Sequence, residues 1–260
     1  MVDSTHNRKK IAIAVSSATP EFWPAGFHTG YFFTEVLHPY ITFLNHGYDV
    51  DIISETGKAG LDQNSIVYAE IDSVSRQAYH DKNHPIWKKL TSDLKKPDQV
   101  SASDYQAIFY AGGHGASFDF PSATGLQQLG SDIYSAGGVI GAVCHGPAIF
   151  MGLKDKSTGE LVIKNKKCSG FNKRGENMMM AAGQLKKMGV DDIETMVRKS
   201  GGIWQEPSDV NWSPMSPYVV EDQRIITGPN PMSASIIAQK IVETIQGKKL
   251  EDKQPKHSII

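Results

Sequence analysis

Two cysteines among 260 residues are too few to staple a fold, which excludes the disulfide framework of small secreted domains. A dominant charge sign is missing too: 27 Lys and Arg stand against 28 Asp and Glu, for a formal net charge of −1 at pH 7. So balanced a chain has no polybasic surface, and nucleic acid binding by bulk electrostatics is not expected. Long apolar runs are absent as well. The run at residues 11–15, after the polar MVDSTHNRKK, is too short for a signal-peptide core or for the roughly 20 residues of a membrane helix. The expectation is a protein of the reducing cytoplasm, with the nucleus as an additional location, that engages neither membrane nor nucleic acid. The nine histidines show no ligand spacing such as H-E-x-x-H, so no catalytic metal is expected.

What is present suits an ordinary folded globule, 40% hydrophobic and 21% charged. Short β-like runs alternate with helical stretches. Ile11-Ala12-Ile13-Ala14-Val15 reads as a strand buried on both faces. Residues 31–45 carry Phe33, Val36, Leu37, Tyr40, Phe43 and Leu44 at helical spacing, with Gly47 as the stop. Further strands are expected at 48–54, 107–110 and 139–143, and helices at 122–136, 176–187, 191–199 and 233–245. Residues 218–221 and 224–227 read as a hairpin without a glycine in its turn. Such alternation predicts a mostly parallel sheet with helices on both faces. Residues 1–10 and 248–260 are expected to be flexible ends around a single domain at 11–247. The segment 57–97, poor in β character, is a candidate inserted helical lid.

In open sheets of this class chemistry sits at the carboxyl ends of the strands. One such end holds Cys144, where Gly138-Val139-Ile140-Gly141-Ala142-Val143 runs into Cys144-His145-Gly146-Pro147. Small residues around the thiol follow the logic of a nucleophile elbow. A helix starting beneath the sulfur would favour thiolate, so a depressed thiol pKa is expected. His145 is placed to serve as base or proton shuttle. The competing role for Cys144 is that of a small buried hydrophobe. Cys168 has no comparable setting and reads as structural. Gly112-Gly113-His114-Gly115 follows another strand end, where backbone amides of a Gly-rich turn, paired with that of His145, would form an oxyanion hole. It also reads as an ordinary tight turn.

Two carboxylates complete the candidates. Glu35 lies in an apolar, aromatic helix with no Lys or Arg three or four positions away. Turned inward, it would have its pKa raised by desolvation and could handle a proton beside the thiol; turned outward, it is a solvent-facing side chain. Glu176 either caps a helix or orients His145 as the third member of a triad.

Taken together, Thr29-Gly30-Tyr31-Phe32-Phe33-Thr34-Glu35-Val36-Leu37-His38-Pro39, Ser54-Glu55-Thr56-Gly57-Lys58, Gly112-Gly113-His114-Gly115, Phe118-Asp119-Phe120-Pro121, Ala142-Val143-Cys144-His145-Gly146-Pro147-Ala148-Ile149-Phe150 and Thr227-Gly228-Pro229-Asn230-Pro231 resemble the DJ-1/PfpI superfamily, and within it the fungal Hsp31-like branch that includes glutathione-independent glyoxalases (glyoxalase III). The resemblance implies a flavodoxin-like three-layer α/β sandwich, a homodimer, and a cofactor-free site. Cys144 would be the nucleophile, with His145 beside it, Glu35 as proton carrier and Glu176 as the acidic third member. Gly112, Gly113 and His114 would line the oxyanion and substrate side. The implied reaction converts methylglyoxal, a small reactive dicarbonyl, to lactate through a Cys144 hemithioacetal, in defence against reactive carbonyls. The implied alternatives are a holdase chaperone for unfolded client proteins, a cysteine hydrolase of amidase or deglycase type, and a redox sensor through oxidation of Cys144. Departures from the pattern are Lys173-Arg174 before Glu176, expected to alter the pocket charge, Leu61 in place of a Trp, and the stretch 204–217.

Overall fold

A computed structural model describes residues 10–208 and 216–247; the proposed flexible ends, apart from Lys10, and half of the divergent stretch 204–217 lie outside the described residues. Six strands form the central sheet: β1 (Lys10–Ala14), β2 (Asp49–Ile53), β3 (Tyr105–Tyr110), β4 (Val139–Val143), β5 (Val220–Asp222) and β6 (Ile225–Gly228). Their order is β2-β1-β3-β4-β6-β5, all neighbours parallel except the β6–β5 hairpin at the edge. The order reverses between β1 and β3, which is the flavodoxin-like switch point where ligands gather at carboxyl ends. The hairpin turns without glycine because Gln223 takes φ 57°.

Strand alternation sorts side chains into two cores. Ile11, Ile13 and Phe109 point to one face, under Phe33, Leu37 and Phe43 of helix α1 (Phe33–Asn45) and Ile237 and Ile241 of the Pro231–Ile245 helix. Ala12, Ala14 and Ala142 point to the other, where their small size leaves room for Tyr110, Phe120 and Phe150 under the Thr124–Ser135 helix. The result is the three-layer α/β sandwich. Between β2 and β3, segment 57–97 supplies three short helices, Ser65–Ile71, Ser73–His80 and Pro85–Leu90.

One helix differs from expectation. Instead of spanning 176–187, the chain forms Lys173–Met178 and Ala182–Lys187. Asn172 caps the first, accepting from the Gly175 amide at 2.9 Å. The break is a Schellman ending: Met180 at φ 57°, its amide on the Asn177 carbonyl, and the Ala181 amide on the Glu176 carbonyl. Nothing in Met178-Met179-Met180 marks such a stop, because its residues are good helix formers.

Candidate active site

β4 delivers Cys144 at φ 58°, a left-handed conformation costly for a residue with a side chain. The elbow is pinned on both sides: the Cys144 amide donates to the Gly228 carbonyl at 2.8 Å and the Cys144 carbonyl accepts from the Phe171 amide at 2.8 Å. The chain then enters a six-residue 3₁₀ turn, Gly146–Met151, rather than the expected α-helix, so the thiol lacks a full helix dipole beneath it. The thiol is buried, and burial together with the Glu35 carboxyl pushes its pKa up, opposed by a hydrogen bond from the Gly113 amide. The expected depressed thiol pKa is therefore corrected: desolvation outweighs the local amides. Cys168, buried on a two-residue strand, is raised to about 12.

α1 places Glu35 in its first turn, fully buried. The side chain points inward across the sheet end, where its Oε2 accepts the Gly112 amide at 2.9 Å. A Cβ on Gly112 would stand 2.7 Å from that oxygen, from the His145 amide and from the Val143 carbonyl, so glycine alone permits this close approach. The Gly112 amide is thus spent on the carboxyl and does not face the cavity as an oxyanion donor; the Gly113 amide faces the sulfur. Glu35 Oε1 is buried without a directed hydrogen bond. Burial raises the Glu35 pKa to about 8, against lowering by the Cys144 thiol and the Gly112 amide. Backbone bonds lock α1 to this corner: Phe32 N–H to Gly112 O at 3.0 Å, Gly115 N–H to Gly30 O at 3.2 Å, and Tyr31 N–H to Gly60 O at 2.8 Å.

On the other side of the sulfur, His145 Nδ1 lies 3.1 Å from Cys144 Sγ and His145 Nε2 lies 2.8 Å from Glu176 Oε1. Glu176 Oε2 takes a second imidazole, His114 Nε2, at 2.9 Å. Both carboxylate contacts are satisfied when each ring carries its proton on Nε2, which leaves His145 Nδ1 as an acceptor facing the thiol. Burial raises the Glu176 pKa, but the two histidines outweigh it and hold the carboxyl well below its ordinary range. Burial and His114 lower the His145 pKa to about 4, against the pull of Glu176. The His114 and His145 rings lie 3.9 Å apart, with Phe171 against His145 and Trp23 and Phe22 against His114. His114, expected only as part of a substrate-side turn, is thus a partner of Glu176. Among the described residues, His114, His145 and Glu176 form one group able to converge on a metal ion; as placed, their ligand atoms are engaged with one another.

Glu35, Cys144, His145, Glu176, Gly112, Gly113 and His114 all meet at one end of the sheet, and a cavity of about 200 Å³ opens over Cys144. Its other walls are apolar: Trp23, Phe32, Phe171, Met178 and Met179, with Tyr68 from the Ser65–Ile71 helix. Lys173, expected to alter the pocket charge, turns instead toward Asp192 at 4.0 Å and Glu194 at 3.7 Å. Asp62 was missed by sequence reasoning: buried, it accepts from Thr29 Oγ1 at 2.6 Å and Trp23 Nε1 at 3.2 Å, fixing one wall, and its charge adds to the rise at Glu35. Tyr68 was missed as well. Neither lies in a pattern that periodicity reads.

The chain matches the model of the DJ-1/PfpI family over residues 30–244. It is 38% identical to Glutathione-independent glyoxalase HSP31 of Saccharomyces cerevisiae, over 92% of this chain and 98% of that protein. It is 37% identical to Glutathione-independent glyoxalase hsp3101 of Schizosaccharomyces pombe, over 91% and 96%. The crystal structure of glyoxalase III from Candida albicans superposes with a TM-score of 0.85 at 36% identity, covering 91% of this chain and 97% of that one. No helix among the described residues is long and apolar enough to cross a membrane. An elbow cysteine between two buried carboxyls, on this strand order and with likeness along nearly the full length, has one reading: the chain belongs to the DJ-1/PfpI family.

Proposed function

We propose that this chain is a glutathione-independent glyoxalase that hydrates methylglyoxal to lactate, a hydro-lyase in formal class, with D-lactate as the product. The observation that carries the reading is the placement of Cys144 between a proton-retaining carboxyl, Glu35, and an ionised one, Glu176, acting through His145. Cavity size agrees: about 200 Å³ over the sulfur accommodates a three-carbon dicarbonyl.

The steps follow from the protonation states. Burial holds both protons on the Cys144–Glu35 pair at neutral pH, and the reactive form is the minor one in which the sulfur has lost its proton while Glu35 keeps its own. The sulfur adds to the aldehyde carbon while Glu35 gives its proton to the aldehyde oxygen, forming the hemithioacetal. Glu35, now a carboxylate, removes the proton from that carbon, and the electron pair shifts to form an enediolate with charge on the former ketone oxygen. Glu35 returns the proton to the second carbon, and His145 relays the hydroxyl proton of the first carbon to the second oxygen. The product is a lactoyl thioester on Cys144. Water, with His145 as base, cleaves the thioester, releasing lactate and restoring the thiol. A cysteine hydrolase needs Cys144, His145 and Glu176 but has no use for a buried proton carrier at Glu35, which favours the isomerising reading.

The test is lactate formation from methylglyoxal without glutathione, assayed with D- and L-specific lactate dehydrogenases. Wild type is expected to make D-lactate, and Cys144→Ala to lose at least about 10⁴-fold in kcat. Absence of lactate from folded wild type overturns the reading.

A further inference from the structure

The cavity is lopsided. Its sheet side carries the sulfur, two imidazoles and the Gly113 amide, whereas the facing wall is almost wholly hydrocarbon. Trp23 offers no donor there, since its Nε1–H is committed to Asp62. Tyr68 is the exception. It is half-buried, and among the described residues its hydroxyl makes no hydrogen bond, although the ring is well held. It packs edge-on to Phe32, centroids 5.2 Å apart, and its helix is anchored by Ser65, whose hydroxyl donates to the Asp62 carbonyl at 2.7 Å. Burial and the charge at Cys144 both raise the Tyr68 pKa, so the phenol keeps its proton and remains a donor.

A 1,2-dicarbonyl attached to Cys144 has two oxygens. The one on the attacked carbon lies among the sheet-side groups, while the other, one carbon further on, projects across the cavity. An oxygen that gains charge opposite a hydrocarbon wall needs a donor there. Building on the glyoxalase reading, we propose that Tyr68 is a further catalytic residue, whose hydroxyl donates to the ketone oxygen of the bound dicarbonyl and holds the charge that develops on it in the enediolate. No proton need leave the phenol.

Tyr68→Phe removes the hydroxyl and keeps the ring against Phe32, so the fold is retained. With methylglyoxal the variant is expected to lose about 10- to 100-fold in kcat, less than for a fully buried oxyanion donor, with KM changed by less than about threefold. A second readout is independent of turnover. Chloroacetone alkylates Cys144 at a carbon beside a ketone and presents the same oxygen to the same wall; methyl methanethiosulfonate modifies the sulfur and carries no carbonyl. The variant is expected to react several-fold more slowly with chloroacetone and at the wild-type rate with the thiosulfonate. Equal chloroacetone rates in variant and wild type, or equal slowing with both reagents, would overturn the assignment. If wild type makes no lactate while the chloroacetone effect persists, the glyoxalase reading fails and Tyr68 stands as a carbonyl-binding group. If wild type makes lactate and the variant matches it in kcat and in both labelling rates, Tyr68 fails alone.

Discussion

Glu35 and Glu176 are both buried carboxyls beside the same Cys144–His145 pair, yet they sit on opposite sides of their ordinary pKa. Glu35 comes from the first turn of a helix packed in hydrocarbon and meets one backbone amide, so desolvation wins and the group holds its proton to about pH 8. Glu176 is almost as buried, but each of its oxygens takes an imidazole, at 2.8 and 2.9 Å, and the charged form wins. Burial alone does not decide protonation; the count and kind of donors do. Two like groups held apart in this way form an acid–base pair, one to carry a proton and one to hold a charge.

Replacing each carboxyl by its neutral amide tests the difference, because the two substitutions should move stability in opposite directions. Glu35→Gln has the larger expected effect on activity of the two, a loss of about 10³-fold in kcat. Wild-type kcat/KM should rise with pH up to about 8, and the variant should lose that rise. For stability, the folded pKa of Glu35 is raised above its ordinary 4.5, so its contribution is full below 4.5 and is lost as pH rises through about 8. Removing the carboxyl removes that loss, and thermal melts at about pH 8.5 should show the variant more stable by on the order of a few kcal/mol. A variant less stable than wild type at that pH would mean that Glu35 is not buried as described.

Glu176→Gln is expected to cost about 10²-fold in kcat, because His145 loses the anion that sets its tautomer. Its folded pKa is depressed, so its stabilisation is present above 4.5 and lost only as pH falls through the lowered value. At neutral pH the variant should therefore be destabilised, by about 1–3 kcal/mol for hydrogen bonds to a charged group. A stabilised Glu176→Gln would collapse the distinction between the two carboxyls. The smallest effect belongs to Lys173→Ala. Lys173 is exposed, pairs with the partly buried Asp192 and Glu194, and does not line the cavity over Cys144, so kcat should stay within about twofold and stability within about 1 kcal/mol. A larger kinetic change would bring its charge back into the site.

How far the sequence reveals this depends on the separation of the partners. The β4 strand and its elbow are contiguous, so apolar residues running into Ala142-Val143-Cys144-His145-Gly146 display both strand and turn. The orientation of Glu35 is not local: its amide partner lies 77 residues away, and only folding brings Gly112 to it. Glu176 joins imidazoles 31 and 62 residues distant, which is why His114 reads as part of a turn. The thiol pKa escapes the sequence for a related reason, since the chain after Cys144 displays a helix start while the burial and the carboxyl that dominate come from elsewhere. The stop at Met180 has no residue signature at all. It falls within a run of methionines, and the Met180 side chain is exposed.

The three backbone bonds that tie residues 30–32 to Gly60, Gly112 and Gly115 have a consequence for how the enzyme fails. They stitch the helix bearing Glu35, the thiol corner and the segment bearing Tyr68 into one braid, leaving no seam along which that helix can peel off while the sheet survives. Heat should therefore not yield a folded but idle protein: loss of turnover and exchange of these amides with deuterated solvent should set in at a single temperature, as one cooperative event.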